Sequence, residues 1–234
     1  NKDSVVVTVS PLPVITISSD VPICMGDTTQ LNASGGDNYS WLPVDSLSDP
    51  NISNPFAFPS DTTTYVVTVI DSNFCVNKDS ATIIVNPLPG VDAGINDTIC
   101  IGDTAQLNAA GATNYLWTPT GSLSDSAIAN PLAFPSDTME YFVTGTDNNG
   151  CSNFDTALVI VNSLPTVTAT AAATEICIGD STLLNATGGV DYVWFPSDSL
   201  ADDSIANPVA FPSDTTTYIV TVTGNGGCIS TTST

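Results

Sequence analysis

Short runs of alternating apolar and polar residues, rich in Val, Ile, Thr and Tyr, recur along the whole chain. Thr63–Ile70 reads TTYVVTVI, with Tyr65, Val67 and Val69 at alternate positions. This period is typical of a β-strand with one buried face, and no stretch has the apolar stripe of a helix. In the first part of the chain the pattern predicts strands at Val14–Ser18, Thr28–Ala33, Tyr39–Leu42, Phe56–Phe58, Thr63–Ile70 and Ala81–Asn86.

Turn residues separate the predicted strands. Gly35-Gly36, Asp49-Pro50 and Pro59-Ser60-Asp61 each stand between two of them, and such residues favour the backbone conformations of tight turns. Many short strands with turns every ~8–12 residues indicate an all-β fold built as an antiparallel β-sandwich.

One short motif sets the organisation of the chain. Ile23–Asp27 reads ICMGD, and the motif returns as ICIGD at Ile99–Asp103 and at Ile176–Asp180. The interval between successive motif cysteines is constant to within one position, and another cysteine follows each of them after 51 residues. So constant an interval indicates tandem repeats. The predicted domains are residues 11–87, residues 88–163 and residues 164–234, the third lacking its closing strand.

Residues 1–10 do not begin a domain. Their sequence, NKDSVVVTVS, matches NKDSATIIVN at residues 77–86, and each segment is followed by Pro-Leu-Pro. They therefore correspond to the closing strand of a preceding repeat. Either the chain is a window of a longer repeat array, or residues 1–10 complete the third domain of a neighbouring molecule by strand donation, which would assemble a filament.

Aromatic residues recur in register in the three repeats. Each tryptophan follows a tyrosine by two positions, so that both lie on one face of a strand. A tryptophan at this place in a sandwich usually belongs to the core, although an exposed aromatic could instead bind sugar. We predict core positions for Trp41, Trp117, Trp194, Tyr65, Tyr141 and Tyr218. Because the linkers are short and contain proline, we expect the domains to form an elongated rod.

The charge of the chain is one-sided. The net charge is −22, and Lys2 and Lys78 are the only basic residues. This charge repels nucleic acid and anionic membranes, so we expect neither as a partner. No apolar run is long enough to cross a membrane, and no signal peptide is recognisable. The partners we expect are further copies of the same repeat.

The six cysteines indicate disulfides. None lies in a CxxC motif, and without histidine the usual zinc sites cannot be built. Disulfides in turn predict an extracellular or cell-surface location. Pairing within a repeat closes a loop of 51 residues, worth ~3–4 kcal/mol, and is the pairing we favour. An immunoglobulin topology would instead separate the two cysteines of a repeat and allow bridges between repeats. The candidates are Cys24, Cys75, Cys100, Cys151, Cys177 and Cys228.

The motif ICxGD(T/S)xxLNA, then YxW, then SLxDxxIxNPxAFPSDTxxY and a cysteine after a polar turn resembles a known group. It is similar to the immunoglobulin-like and PKD-like repeats of large surface proteins of Bacteroidetes, which are exported by type IX secretion and associated with gliding or adhesion. The resemblance implies a sandwich spacer or stalk and no enzymatic activity. The first repeat departs from it where Asn73-Phe74-Cys75 replaces the usual Asn-Gly-Cys turn.

Fourteen aspartates precede a Ser or Thr and then an apolar or Thr residue, a pattern that looks like the O-glycosylation acceptor motif of Bacteroidetes. Turn chemistry alone is the alternative, since Asp, Ser and Thr all cap strand ends. The candidate attachment residues are Ser4, Thr28, Ser46, Thr62, Ser80, Thr98, Thr104, Ser126, Thr138, Thr156, Ser181, Ser199, Ser204 and Thr215.

The remaining chemistry is sparse. Asp27, Asp49 and Asp61 recur in every repeat and could bind calcium through oxygen ligands, but solvated turn residues explain them better. We therefore expect no cofactor, with calcium as the alternative. With no His, no Arg and two Glu, no nucleophile and base are paired, and we predict no enzyme.

The sequence thus predicts three tandem immunoglobulin-like β-sandwiches in a long extracellular fibre or adhesin stalk, stapled by disulfides and O-glycosylated. The alternative is a binding module whose faces or loops hold a glycan or a protein. The loops of the three repeats are nearly identical, and binding loops would be expected to vary, so the stalk is favoured.

Overall fold

The structure, a computed structural model, describes residues 3–234 and is all-β, with twenty strands and no helix among those residues. Accordingly, no helix in this range could span a membrane. Asn1 and Lys2, part of the predicted closing strand of a preceding repeat, lie outside the described residues. The predicted fold class of tandem immunoglobulin-like β-sandwiches is confirmed.

The first repeat contains two small sheets and one large one. The small sheets pair β1 with β4 and β3 with β6, and the large sheet has the strand order β2-β8-β7-β5. The strands are β1 Thr16–Ile17, β2 Val21–Cys24, β3 Thr29–Gln30, β4 Ala33–Ser34, β5 Asn38–Leu42, β6 Phe56–Ala57, β7 Thr63–Ile70 and β8 Val76–Asn86.

The second repeat has the same large sheet, in the order β11-β13-β14-β9, and the small pair β10-β12. The third has two sheets of three strands, β17-β19-β20 and β15-β16-β18. Their strands are β9 Asp97–Cys100, β10 Ala105–Gln106, β11 Asn114–Thr118, β12 Leu132–Ala133, β13 Met139–Thr146, β14 Ser152–Asn162, β15 Thr168–Ala171, β16 Thr182–Thr187, β17 Asp191–Phe195, β18 Val209–Ala210, β19 Ile219–Thr223 and β20 Ile229–Ser233.

The strand that closes each repeat, β8 or β14, is the longest element. It begins directly after the second cysteine of the repeat and has 11 residues, so it starts earlier than the predicted Ala81–Asn86. In the first repeat, residues 76–83 of β8 pair antiparallel with β7. Its last four residues also pair with β2, and this pairing is parallel, from Val21 opposite Ile83 to Cys24 opposite Asn86. The sequence pattern had shown no strand at β2.

Each repeat has its own hydrophobic core. Trp41, Trp117 and Trp194 are fully buried, and their indole N–H groups donate to the carbonyls of Ile52, Ile128 and Ile205 at 2.9, 3.1 and 3.0 Å. Tyr65, Tyr141 and Tyr218 are buried in the same three cores. The burial of the tryptophans removes the alternative that they form an exposed sugar-binding platform.

The chain divides into two compact units. One comprises the described part of residues 1–90 with residues 111–113 and 145–153, and contains the core of the first repeat. The other comprises residues 91–110, 114–144 and 154–234, and contains the cores of the second and third repeats. The domain boundaries predicted from the repeat stay a prediction.

Candidate functional site

Disulfides connect successive repeats. Cys24 is bonded to Cys151 and Cys100 to Cys228, with Cα–Cα distances of 5.5 and 5.6 Å. The favoured pairing within a repeat is wrong, and the alternative between repeats is correct. The two bonds indicate an oxidising compartment outside the cytosol.

The parallel pairing of β2 with β8 explains the pairing between repeats. Because the two strands run in the same direction, Cys24 at the end of β2 lies beside Asn86 at the end of β8. Cys75 comes just before β8 begins, and 11 residues of strand span about 35 Å. The two cysteines of a repeat therefore lie at opposite poles, and a bridge within the repeat is geometrically impossible.

The end of the closing strand is hydrogen-bonded at each of these joints. The carbonyl of Asn86 accepts a hydrogen bond from the Met25 amide at 2.8 Å. The carbonyl of Asn162 likewise accepts from the Ile101 amide at 2.9 Å. Sγ of Cys228 lies 3.7 Å from the Asn162 oxygen. Asn162, at the end of β14, thus contacts Ile101 beside the first cysteine of its own repeat and Cys228 in the following repeat.

A side-chain hydrogen bond ties the joint between the second and third repeats further. The Asn162 side-chain amide donates to the carbonyl of Gly226 at 3.1 Å. A Cβ atom at Gly226 would lie 2.5 Å from the Asn162 side chain, closer than non-bonded atoms approach. The disulfide is therefore one part of a close-packed contact.

Cys75 and Cys177 form no disulfide within the described chain. Cys75 is half-buried, and its Sγ lies 3.9 Å from the carbonyl oxygen of Ser10. Cys177 is exposed. In each repeat we call the cysteine of the ICxGD motif the first-type cysteine and the cysteine 51 residues later the second-type cysteine. Cys75 is thus a second-type cysteine like Cys151, and Cys177 is a first-type cysteine like Cys24. Disulfide bonds at these two residues stay a prediction.

The third repeat is open at one edge of its large sheet. Its β20 contains the first part of a closing strand, which the sequence pattern had missed, but ends at Ser233. The β19 strand has 5 residues where β7 has 8, and the segment equivalent to β2, residues 174–177, is not a strand. Ile178 is 85 % exposed, against 46 % for Met25 and 45 % for Ile101 at the same position.

A groove lies along this open edge, with a cavity volume of about 580 Å³. Its lining includes Ile176, Cys177, Leu184, Thr215 and Tyr218. Leu184 and Tyr218 belong to the core of the third repeat. The groove therefore reaches from the unpaired cysteine to the hydrophobic core.

Residues 3–10 form no strand in the structure. Val7 and Val9 are 80 % and 88 % exposed. Their equivalents in the first repeat are Ile83, which is buried in the core, and Val85, which packs against it. A strand sequence with the pattern of a closing strand is thus exposed to solvent.

Some of the candidate O-glycosylation residues already have side-chain hydrogen-bond partners. Thr62 and Thr138 accept hydrogen bonds from the closing-strand amides of Val85 and Val161, both at 3.0 Å, and half-buried Ser199 is hydrogen-bonded to Tyr218. These side chains have structural partners. Ser46, Ser126 and Thr156 are also half-buried. The exposed candidates are Ser4, Thr28, Thr62, Ser80, Thr98, Thr104, Thr138, Ser181, Ser204 and Thr215.

Two features of the site bear on electrostatics. In the described chain, no three Cys, Asp or Glu side chains are grouped as metal ligands. The expectation of no cofactor, with calcium as the alternative, stays a prediction. The Asp155 carboxylate accepts the Ala93 amide at 2.8 Å, and this bond, followed by one from the Thr156 amide, holds the pKa of Asp155 below its usual range.

No protein-family model matches this chain, and no curated protein matches it in sequence. Solved structures are similar to it in fold. The N-terminal eight immunoglobulin domains of Down syndrome cell adhesion molecule are 15 % identical at a TM-score of 0.46, covering 95 % of this chain and 42 % of that one. Immunoglobulin domains 1–4 of Sidekick-1 are 13 % identical at a TM-score of 0.32, covering 95 % of this chain and 74 % of that one.

Mouse cadherin-23 repeats EC22–24 are 11 % identical at a TM-score of 0.34, covering 96 % of this chain and 98 % of that one. The chain spans about two-fifths of the length of the first of these structures. The likenesses concern tandem β-sandwich domains and carry no information about what this chain binds.

Proposed function

We propose that this chain is a structural segment of a long extracellular fibre or cell-surface stalk. The observation that carries the proposal is the pairing of Cys24 with Cys151 and of Cys100 with Cys228, each of which joins one repeat to the next. A disulfide inside a domain stabilises only that domain. A disulfide between successive domains creates a covalent route along the array.

The two bridges overlap in sequence, so two separate covalent routes connect Cys24 to Cys228. One route crosses to Cys151 and then follows the chain to Cys228, whereas the other follows the chain from Cys24 to Cys100 and then crosses. Because each route contains the length of one repeat, the two are nearly equal and tension is shared between two covalent paths. This suits a segment whose role is to resist pulling.

Assembly of the fibre would follow from strand donation. The third repeat has an open groove where the first repeat has residues Thr82–Asn86, and Val6–Ser10 align with those residues. Placed in the groove of a second copy, Val6–Ser10 would add a strand to the edge of the large sheet and bury apolar side chains. In β-strand addition, main-chain hydrogen bonds to the sheet edge supply the affinity. Further copies of the chain are the proposed partners.

Glycans are proposed as the coat of the fibre. Total charge is low at 11 % of residues, and exposed Ser and Thr side chains after Asp supply attachment points such as Thr28, Thr104 and Ser181. The resemblance to surface repeats of Bacteroidetes adds type IX export as the proposed route to the surface. A binding module is the alternative, and the near-identity of the loops in the three repeats argues against it.

Pulling single molecules by their two ends tests the structural role. With both disulfides intact, the stretch from Cys24 to Cys228 can extend only to the length of one unfolded repeat, about 260 Å. After reduction the whole chain between these two cysteines contributes, about 700 Å. We expect the shorter limit in oxidising buffer and the longer one with reductant. The longer limit under both conditions would overturn the proposal.

A further inference from the structure

Resting on the proposed assembly by strand donation, we propose that Cys177 of one copy forms a disulfide with Cys75 of the next. The bond would make the contact between copies equivalent to the two joints inside the chain. Those joints bond a first-type cysteine, Cys24 or Cys100, to the second-type cysteine of the following repeat. Cys177 and Cys75 are the first-type and second-type cysteines that the chain leaves unbonded.

The first repeat already carries one half of such a joint. In the joint between the second and third repeats, Sγ of Cys228 lies 3.7 Å from the carbonyl of Asn162, the last residue of a closing strand. At the start of the chain, Sγ of Cys75 lies 3.9 Å from the carbonyl of Ser10, the residue aligned with Asn162. The donor strand end and its cysteine are thus already side by side.

The third repeat carries the other half. Cys177 and Ile178 stand where Cys24 and Met25 stand in the first repeat, and they border the open groove. The Met25 amide donates to the end of the closing strand at 2.8 Å, whereas no closing strand lies beside Ile178 in the described chain. An incoming Ser10 carbonyl would accept the equivalent bond and would bring Cys75 to Cys177.

The side chains of the donor match the groove. In both complete repeats, the fourth residue from the end of the closing strand is buried in the core, as Ile83 and Val159. Val7 takes that position, and Val9 takes the position of Val85, so apolar residues would point inward. Thr8 aligns with the exposed Ile84. The pattern therefore fixes which face of the donor strand would point inward.

The backbone of the donor also has an anchor in the groove. Thr62 and Thr138 hydroxyls accept the amides of Val85 and Val161. Thr215 is the equivalent residue and lines the groove. The Val9 amide of the donor would therefore donate to Thr215.

The bond requires an oxidant, which we take to be a low-molecular-weight or protein disulfide. One protein thiolate attacks that disulfide and releases one thiol, leaving a mixed disulfide on the protein. The thiolate of the other copy then displaces the second thiol. Two protein thiols and one oxidant disulfide give one protein disulfide and two thiols, so that electrons and protons balance.

Once closed, the joints would make the fibre covalent along its whole length. Within each copy, one covalent route runs from Cys75 back to Cys24, across to Cys151 and along the chain to Cys177. This route extends to about 260 Å. The chain followed directly from Cys75 to Cys177 would extend to about 350 Å. The bridges inside each copy would therefore limit how far the fibre lengthens when its domains unfold.

Two complementary single variants test the pairing. Cys75→Ser retains only the Cys177 thiol, and Cys177→Ser retains only the Cys75 thiol. Each variant and the unaltered chain are incubated in a glutathione redox buffer and run on non-reducing gels. We expect a ladder of multimers from the unaltered chain, monomers from each variant alone, and a single dimer band from their mixture, with a Cys177–Cys75 peptide on mapping.

Several results would overturn the inference. Equal dimer formation by each variant alone would indicate random oxidation of exposed thiols. A monomer containing an internal Cys75–Cys177 bond would mean that the chain closes on itself. A chain that stays monomeric with both thiols free would mean that the groove is filled by something other than a second copy, such as a further repeat of the same polypeptide.

The double variant Cys75→Ser/Cys177→Ser separates this inference from the proposed assembly. Its multimers, measured by analytical ultracentrifugation at high concentration, should persist but dissociate on dilution, whereas oxidised multimers of the unaltered chain should not. Multimers that dissociate equally in both proteins would refute the covalent bond and leave strand donation intact. Absence of multimers in both would refute strand donation itself.

Discussion

The first and third repeats share most of their sequence pattern and differ in how their large sheets are built. The first repeat contains Thr82–Asn86, and its large sheet has four strands, with β2 paired parallel to β8. The large sheet of the third repeat has three strands, and its β20 ends at Ser233. The segment that should pair next to them is irregular, and the cysteine at its end is exposed.

This comparison shows that the closing strand has two roles. It supplies the core with inward side chains such as Ile83, and it places the first-type cysteine at the pole of the repeat opposite the second-type cysteine. In the third repeat, where no described strand lies beside residues 174–177, a groove is present and Cys177 is unbonded. Where the strand is present, the repeat and the joint are completed together.

The largest expected effect is the loss of assembly when the donor cannot enter the groove. Val7→Asp would place a carboxylate in the core of the third repeat, and a buried unpaired charge is strongly unfavourable. We expect multimers to disappear in analytical ultracentrifugation. Thr8→Asp is the matched control, because its equivalents Ile84 and Ile160 are exposed, and it should still assemble. Equal loss in both variants would contradict the register.

The next effect concerns the disulfides between repeats. Cys24→Ser/Cys151→Ser removes a bridge that spans 127 residues, and the loop-entropy model assigns about 5 kcal/mol to it. We expect that much loss in the free energy of unfolding, measured by urea denaturation of the monomer. Cys75→Ser is the control and should cost under about 0.5 kcal/mol, since Cys75 is unbonded. An equal cost for both would argue that no such bridge exists.

The smallest effect separates the core tyrosines. The Tyr65 hydroxyl is buried without a hydrogen-bond partner in the described chain, and burial, with Asp45 nearby, raises the pKa of Tyr65. Tyr141 instead bonds Ser122 at 2.6 Å. Tyr65→Phe should therefore stabilise the protein by about 1 kcal/mol and Tyr141→Phe should destabilise it by a similar amount. Urea denaturation measures both, and effects of the same sign would contradict the assignment.

Much of the fold could be predicted from the sequence because its signals are local. The repeat, the tryptophan positions and the strand Thr63–Ile70 all follow from residue spacing and alternation. The turn before Cys75 could not be decided, and it proves to be the same as in the second repeat, with Phe74 at φ 62° where Gly150 has φ 83°. A positive φ is costly for a residue with a Cβ.

The disulfide pairing could not be predicted because it depends on a parallel strand. Val21–Cys24 is too short and too irregular in pattern to stand out as a strand, and nothing local shows that it runs parallel to β8. Pairing within a repeat was favoured because it closes a loop of 51 residues without needing a neighbouring repeat. Strand direction, which decides which cysteines lie at the same pole, overrides it.

The most direct test is hydrogen–deuterium exchange of the chain at low and high concentration. The central claim is that Val6–Ser10 of one copy completes the third repeat of another. We predict that the amides of Val9 and Ile178 exchange freely in the monomer and become protected together on assembly. Multimers in which Val9 and Ile178 still exchange freely would contradict the claim.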